Sequence, residues 1–247
     1  MMKIEAHRAE YGDVEAMRDL YRQEANCQIV HDSLLQRAYA DPYLILVDGR
    51  VAGYGGVWNR IHPNRVVEFY TLPSVRQLAL PMFRELLAVS QATEIQSQTN
   101  MPTMLLMLYD CAKSVVVENI LFHDAYTTNL RCPEGVFRPL TSDDTSSLLP
   151  HQHEPDGDWV VESEGRIVAS GGFLCHYNPP YGDLYMEVAE PARRRGFGSY
   201  LIQELKRVCY EAGKKPAARC NADNVASRRT LEKAGMLPCG RLLVGTV

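Results

Sequence analysis

The stretch Tyr185-Met186-Glu187-Val188-Ala189-Glu190-Pro191-Ala192-Arg193-Arg194-Arg195-Gly196-Phe197-Gly198 decides how the rest of the chain reads. An apolar strand over residues 183–189 runs into Glu190-Pro191, then into an arginine cluster broken by two glycines, then into a helix. This order of elements makes an anion site. A helix start leaves free N–H groups and a partial positive charge, both suited to a pyrophosphate. Gly196 and Gly198 carry no Cβ, so the backbone can approach phosphate oxygens and adopt unusual φ values. Arg193, Arg194 and Arg195 add fixed positive charge that can fork onto phosphate oxygens. The chain has neither the Gly-Lys-Ser/Thr ending of a P-loop nor the Gly-x-Gly-x-x-Gly of a dinucleotide fold at this point.

Downstream, residues 198–212 form an amphipathic helix. Leu201, Leu205, Val208 and Ala212 make its apolar face, with Gln203, Glu204, Lys206 and Arg207 turned outward. Gly213 stops it. A strand over 217–221 follows, then a helix capped by Asn224 and closed by Gly235, then a strand over 239–244. Upstream, a strand over 136–140, a short helix around 143–149 and a loop over 151–158 precede two strands joined at Glu164-Gly165. The order is β-α-β-β-β-α-β-α-β, an α/β chain of the α+β type with a mixed, mostly antiparallel sheet flanked by helices.

This pattern occurs twice. Gly49-Arg50-Val51-Ala52-Gly53-Tyr54-Gly55-Gly56 and Gly165-Arg166-Ile167-Val168-Ala169-Ser170-Gly171-Gly172 keep Gly, Arg, Gly and Gly in register, 116 residues apart. Residues 43–47 map onto 159–163 at the same offset. His7-Arg8-Ala9-Glu10-Tyr11-Gly12-Asp13 resembles Phe137-Arg138-Pro139-Leu140-Thr141-Ser142-Asp143. Three segments in one order indicate a duplicated domain, divided at 1–132 and 133–247. The first copy has a strand over 4–8, helices over 13–25 and 32–39, a hairpin at Asp48-Gly49 and a strand over 65–72. Its counterpart of the arginine–glycine cluster is Pro73-Ser74-Val75-Arg76-Gln77-Leu78-Ala79-Leu80-Pro81. That stretch has no glycine, so the first copy is expected to be degenerate and to bind no pyrophosphate. Its expected role is to pack on the second copy and wall part of that copy's site, since no Gly/Ser/Pro-rich linker separates the two.

The cluster around 185–198, together with Asn224-Val225-Ala226-Ser227-Arg228-Arg229-Thr230-Leu231-Glu232-Lys233-Ala234-Gly235-Met236, resembles the two motifs of the Gcn5-related N-acetyltransferase (GNAT) superfamily. The resemblance covers residues 134–247 and implies an N-acetyltransferase that passes an acetyl group from acetyl-CoA, as co-substrate, to a small-molecule or peptide amine by direct attack on the thioester. It implies that Val188, Arg193, Arg194, Arg195, Gly196, Phe197, Gly198 and Asn224 bind the coenzyme. The pantetheine arm is expected between the strands at 183–189 and 217–221, near Val188. Glu187 is the candidate base, with Asp183 and Tyr185 on the same strand face as alternatives. Asn224 also has a helix-capping role. Many relatives carry a Tyr where Leu231 stands, so a general acid at that position is missing, and Met236 replaces a usual Phe. The departure at Leu231 leaves a second reading open, a non-catalytic acyl-CoA sensor or scaffold.

Composition limits the other classes. The formal charge is −4 over 247 residues and neither half is basic, which excludes general nucleic-acid binding. No long apolar run marks a membrane span and no signal peptide is legible at the N-terminus. The seven cysteines are odd in number and form no Cys-x-x-Cys pair, as for reduced thiols in the cytoplasm. His151 and His153 read as parts of a solvated loop, and no metal site is expected. The assembly is expected to be a monomer with pseudo-dimeric domain pairing, or a homodimer.

Overall fold

β1 (Ile4–Arg8) and two helices, α1 (Tyr11–Glu24) and α2 (Asp32–Gln36), precede an antiparallel meander of β2 (Ala40–Val47), β3 (Arg50–Trp58) and β4 (Arg65–Thr71). Then come a 3-10 helix at Pro73–Leu78, α3 (Ala79–Ser90), β5 (Glu94–Gln98), α4 (Pro102–Cys111) and β6 (Ser114–Asp124). The second pattern is β7 (Val136–Pro139), a 3-10 turn at Ser142–Asp144, β8 (Trp159–Ser163), β9 (Arg166–Leu174) and β10 (Tyr181–Val188). It closes with α5 (Phe197–Glu211), β11 (Lys215–Asn221), α6 (Val225–Lys233) and β12 (Met236–Thr246). This computed structural model describes residues 2–24, 32–60, 62, 64–144, 149–151, 154–175 and 179–247.

The hairpins show why the two halves share a pattern. Asp48-Gly49 and Glu164-Gly165 both take left-handed φ, 48° and 74° in the first and 52° and 72° in the second. Two consecutive positive φ values match the right-handed twist of the flanking strands. Each hairpin also carries a register shift on its first strand, between Ile45 and Leu46 and between Val161 and Glu162. These positions correspond at the same 116-residue spacing as Gly49 and Gly165.

The compact units differ from a cut between residues 132 and 133. One comprises Met1–Ile120 with Gly240–Val247, the other Leu121–Cys239. The cause is strand pairing: Leu242–Thr246 of β12 runs antiparallel to β5, from Leu242 opposite Gln98 to Thr246 opposite Glu94. The end of the chain therefore completes the first unit's sheet. In that unit the order is β1-β2-β3-β4-β5-β12, with β4 and β5 parallel. Its core holds Tyr21, Ile45, Tyr54, Phe69, Met82, Phe83 and Leu86. In the second unit the order is β6-β11-β10-β9-β8-β7, with β10 and β11 parallel. Both sheets are mixed and mostly antiparallel, as the sequence pattern implies.

Several expectations shift. The helix expected over 13–25 begins at Tyr11, and Ala25 lies outside the described residues. The one expected over 32–39 ends at Gln36, where Ala38 turns left-handed at φ 53°. The helix expected around 143–149 is a single 3-10 turn among the described residues, and 145–148 lie outside them. On α5, Gln203 and Lys206 do not face outward. Lys206 is buried, pairs with Asp124 at 2.6 Å and donates to the carbonyls of Tyr126 and Ala234, each at 2.8 Å. Gln203 accepts from Leu130 N at 2.6 Å and from Thr128 Oγ1 at 2.8 Å. Both polar residues fasten the backbone that follows β6, a role that helical periodicity cannot reveal. Ala212 is exposed, because the helix has ended there.

Candidate active site

The candidate site of the second unit lies where β10 and β11 part. They pair in parallel only from Tyr181 opposite Lys215 to Leu184 opposite Ala218. Beyond that point β10 stays bonded to β9, with Tyr185 opposite Gly172 and Val188 opposite Ala169. Tyr185–Val188 therefore presents one edge with no strand partner among the described residues, and an extended ligand can supply backbone bonds there.

The arginine–glycine cluster follows at once. Arg194 and Gly196 are both left-handed, at φ 68° and 94°. The two reversals fold the chain tightly into α5, whose N-cap residue is Gly196 and which has no side-chain cap. Its first amides thus remain open to an anion. The two glycines serve different ends. No atom lies within 4 Å of where a Gly196 Cβ would be, so its φ is what matters. A Cβ on Gly198 would come within 3.2 Å of both Val188 and Thr230, so Gly198 lets the helix approach β10 and α6. Phe197 is buried, leaving only its backbone to face a ligand.

The arginines diverge. Arg193 turns back onto β10, with Nη2 3.2 Å from Glu187 Oε1 and Nε donating to the Val188 carbonyl at 3.2 Å. Arg194 is exposed. Arg195 pairs with Glu134 at 2.6 Å and lies over the Phe197 ring. Beside it is a recess of about 310 Å³ lined by Arg131, Cys132, Pro133, Glu134 and Arg195. The sequence reading missed this recess, because it joins the segment before β7 to the α5 approach across more than sixty positions. Asn224 caps α6, its Oδ1 accepting from Ser227 N at 3.0 Å.

The two faces of β10 differ in chemistry. Met186 and Val188 lie against Gly198 of α5. Asp183, Tyr185 and Glu187 alternate onto the other face, so the structure brings the three candidates together. Glu187 is partly exposed, and its Oε1 also accepts from the Val188 amide at 3.2 Å. Asp183 is buried and pairs with Arg219 at 3.2 Å. Burial outweighs that partner and raises its pKa to about 6. Its Oδ1 is buried with no hydrogen-bond partner among the described residues. Burial also pushes the Tyr185 phenol up to about 12, with Asp158, Glu154 and Asp156 acting in the same direction.

His151 departs from expectation. It is half-buried, not solvated, with Nε2 2.8 Å from Ser170 Oγ and its ring edge-on to Tyr185 at 5.7 Å. Its place beside β9 and β10 depends on the path of residues 149–151, which sequence periodicity does not encode. His153 lies outside the described residues.

In the first unit the matching face is filled. Glu68 occupies the position of Tyr185, since Gly56 faces Glu68 as Gly172 faces Tyr185. Arg18 of α1 binds Glu68 through Nε and Nη2, both at 2.8 Å, and the Tyr54 hydroxyl donates to it at 2.8 Å. After β4, the 3-10 helix Pro73–Leu78 stands where the second unit has its left-handed turns.

The sequence model of the acetyltransferase (GNAT) family matches residues 122–236. The chain carries a GNAT acetyltransferase domain over that span. Among solved structures, it is similar to an acetyltransferase from the GNAT family of Colwellia psychrerythraea, at 15% identity and TM-score 0.76 with 99% of each chain covered. A GCN5-related N-acetyltransferase from Sphaerobacter thermophilus aligns at 16% identity and TM-score 0.59, covering 98% of this chain and 94% of that one. A tandem GNAT protein from the clavulanic acid biosynthesis pathway aligns at 14% identity and TM-score 0.58, covering 99% and 98%. Among curated proteins, none matches the chain in sequence. No described helix is long and apolar enough to cross a membrane.

Proposed function

We propose that the second unit transfers an acetyl group from acetyl-CoA to an amine acceptor, by direct attack of the amine on the thioester. The observation that carries this reading is the splay of β10 from β11 beside the uncapped N-terminus of α5. The open strand edge suits the amide-bearing pantetheine arm. The helix amides and the arginines suit the pyrophosphate, and the recess at Arg131 and Arg195 suits the nucleotide end. Val188 N is the donor best placed to polarise the thioester carbonyl once Glu187 releases it. The acceptor would approach on the opposite face of β10, where Glu187, Tyr185 and Asp183 lie. The first unit would bind no coenzyme, because it lacks the glycine turn and Arg18 fills its acceptor face. A cytoplasmic setting suits the cysteines, of which the six described are free.

A second reading, a non-catalytic acyl-CoA sensor, draws on Leu231. It is buried at the position where many relatives place a proton-donating Tyr. Thiol release from acetyl-CoA across a panel of amines separates the two readings. Turnover with any amine is expected. One equivalent of CoA bound per chain with no turnover across the panel would favour the sensor.

A further inference from the structure

We propose that His151 is the catalytic base that deprotonates the acceptor amine, and that Glu187 is a positioning residue beside it. The inference rests on the acyl-transfer reading above and names the proton acceptor of that same site.

The geometry puts the imidazole where the acceptor must come. Ser170, which holds His151 Nε2 at 2.8 Å, stands directly opposite Glu187 in the β9–β10 register. Tyr185, which abuts the ring, lies two residues before Glu187 on the same face. The ring is therefore fixed from two strands beside the residue that precedes Val188. In the tautomer that donates Nε2–H to Ser170 Oγ, the Nδ1 lone pair is the basic site, and no described residue bonds it.

Glu187 is poorly suited to the same task. Its Oε1 already accepts from the Val188 amide and from Arg193. A neutral imidazole has a basicity near the working pH of the reaction. Burial keeps His151 below its usual value, so the ring is neutral at pH 7. Glu187 on β10 and Glu154 and Asp156 on the segment before β8 pull the other way and stabilise the imidazolium once it forms. Tyr185, the remaining titratable group against the ring, stays protonated throughout.

The step balances. The acceptor ammonium gives one proton to His151 Nδ1. The freed nitrogen lone pair forms the N–C bond at the thioester carbonyl. The C–S bond breaks with its electron pair on sulfur, the nitrogen's second proton ends on the thiolate, and His151 returns its proton to water.

The test uses the full chain with acetyl-CoA and an amine that the wild type turns over. His151→Gln is expected to lower kcat/KM for the amine by about 10²–10⁴-fold, the range for loss of a general base. It should also remove the acid limb of the pH–rate profile and leave the CoA Kd unchanged. Unchanged CoA binding shows that the variant is folded, and His151→Asn serves if the glutamine variant is not. Glu187→Gln should keep the acid limb. Ser170→Ala should move that limb without abolishing it. A His151 variant with the wild-type profile, or loss of the limb in Glu187→Gln alone, overturns the assignment while leaving acyl transfer standing. Absence of wild-type turnover with every amine overturns acyl transfer itself, and the assignment with it.

Discussion

Arg193 bridges the two halves of the site by binding Glu187: its Nη2 lies 3.2 Å from Glu187 Oε1, while its Nε holds the Val188 carbonyl at 3.2 Å. One guanidinium thus spans the arginine–glycine cluster and the face of β10 that carries Glu187. A phosphate arriving at the cluster, as the proposed function requires, would compete with Glu187 for the same cation. Freeing Glu187 in turn frees the Val188 amide, which Glu187 occupies at 3.2 Å.

That competition has a measurable consequence. Glu187→Gln removes the anion that holds Arg193 away from the phosphates. The pair is partly exposed, so it is worth at most about 1 kcal/mol. CoA should bind about two- to fivefold more tightly to the variant, and the gain should shrink at high salt. Arg193→Ala should weaken binding about tenfold, the loss of one charge-assisted contact. Calorimetric titration at two salt concentrations reads both. Equal CoA affinity in wild type and Glu187→Gln would show that the pair does not compete with the coenzyme.

Gly196 separates conformational need from steric need. Its φ is 94°, and the space where a Cβ would sit is open. Gly196→Val puts a β-branched residue into the left-handed region, at a cost of about 1–2 kcal/mol or more. CoA affinity should fall at least about tenfold, since the variant escapes the strain by unwinding the turn that presents the α5 amides. Gly196→Asn has a similar volume but tolerates this φ, and it should keep most of the affinity. If both variants lose binding equally, size and not φ is the constraint.

The order of elements in the second unit and both hairpin turns were legible from sequence, because each rests on local signals. Gly49 and Gly165 accept the positive φ that each tight turn needs. Asn224 caps its helix through a bond three residues on. The 185–198 cluster was legible for the same reason. What stayed hidden depends on distant partners. Lys206 fits the exposed side of a helical repeat until Asp124 and two carbonyls surround it. The last eight residues, 240–247, look like the close of the second copy, yet they complete the first unit because β5 offers its edge. His151 sits in a polar stretch whose path alone determines that it reaches Ser170.

Arg18 and Glu68 make the first unit's filled face a stability element. Both side chains are almost fully buried and joined by two 2.8 Å bonds. Removing one partner leaves a buried charge unpaired, so Arg18→Ala should cost about 3–5 kcal/mol. Arg18→Met combined with Glu68→Gln removes both charges and should recover most of that loss. Urea denaturation reads the difference. CoA binding by the still-folded variants should not change, because no coenzyme site is proposed in that unit. A loss of binding without a loss of stability would contradict this.

Asp183 makes the second unit's stability depend on pH in the sense opposite to an ordinary paired carboxylate. Its folded pKa is raised from 3.8 to about 6, chiefly by burial. The stabilisation it contributes is therefore complete below pH 3.8 and is lost as the pH climbs through about 6. The shift corresponds to about 3 kcal/mol of burial penalty carried at neutral pH. Asp183→Asn keeps the shape and cannot ionise. Relative to wild type, the variant should gain stability between pH 4 and pH 7.5 and show no further gain above that. Thermal melts of both proteins across this range test it. A difference in Tm that stays constant from pH 4 to pH 7.5 would mean that Arg219, 3.2 Å away, compensates the buried charge in full.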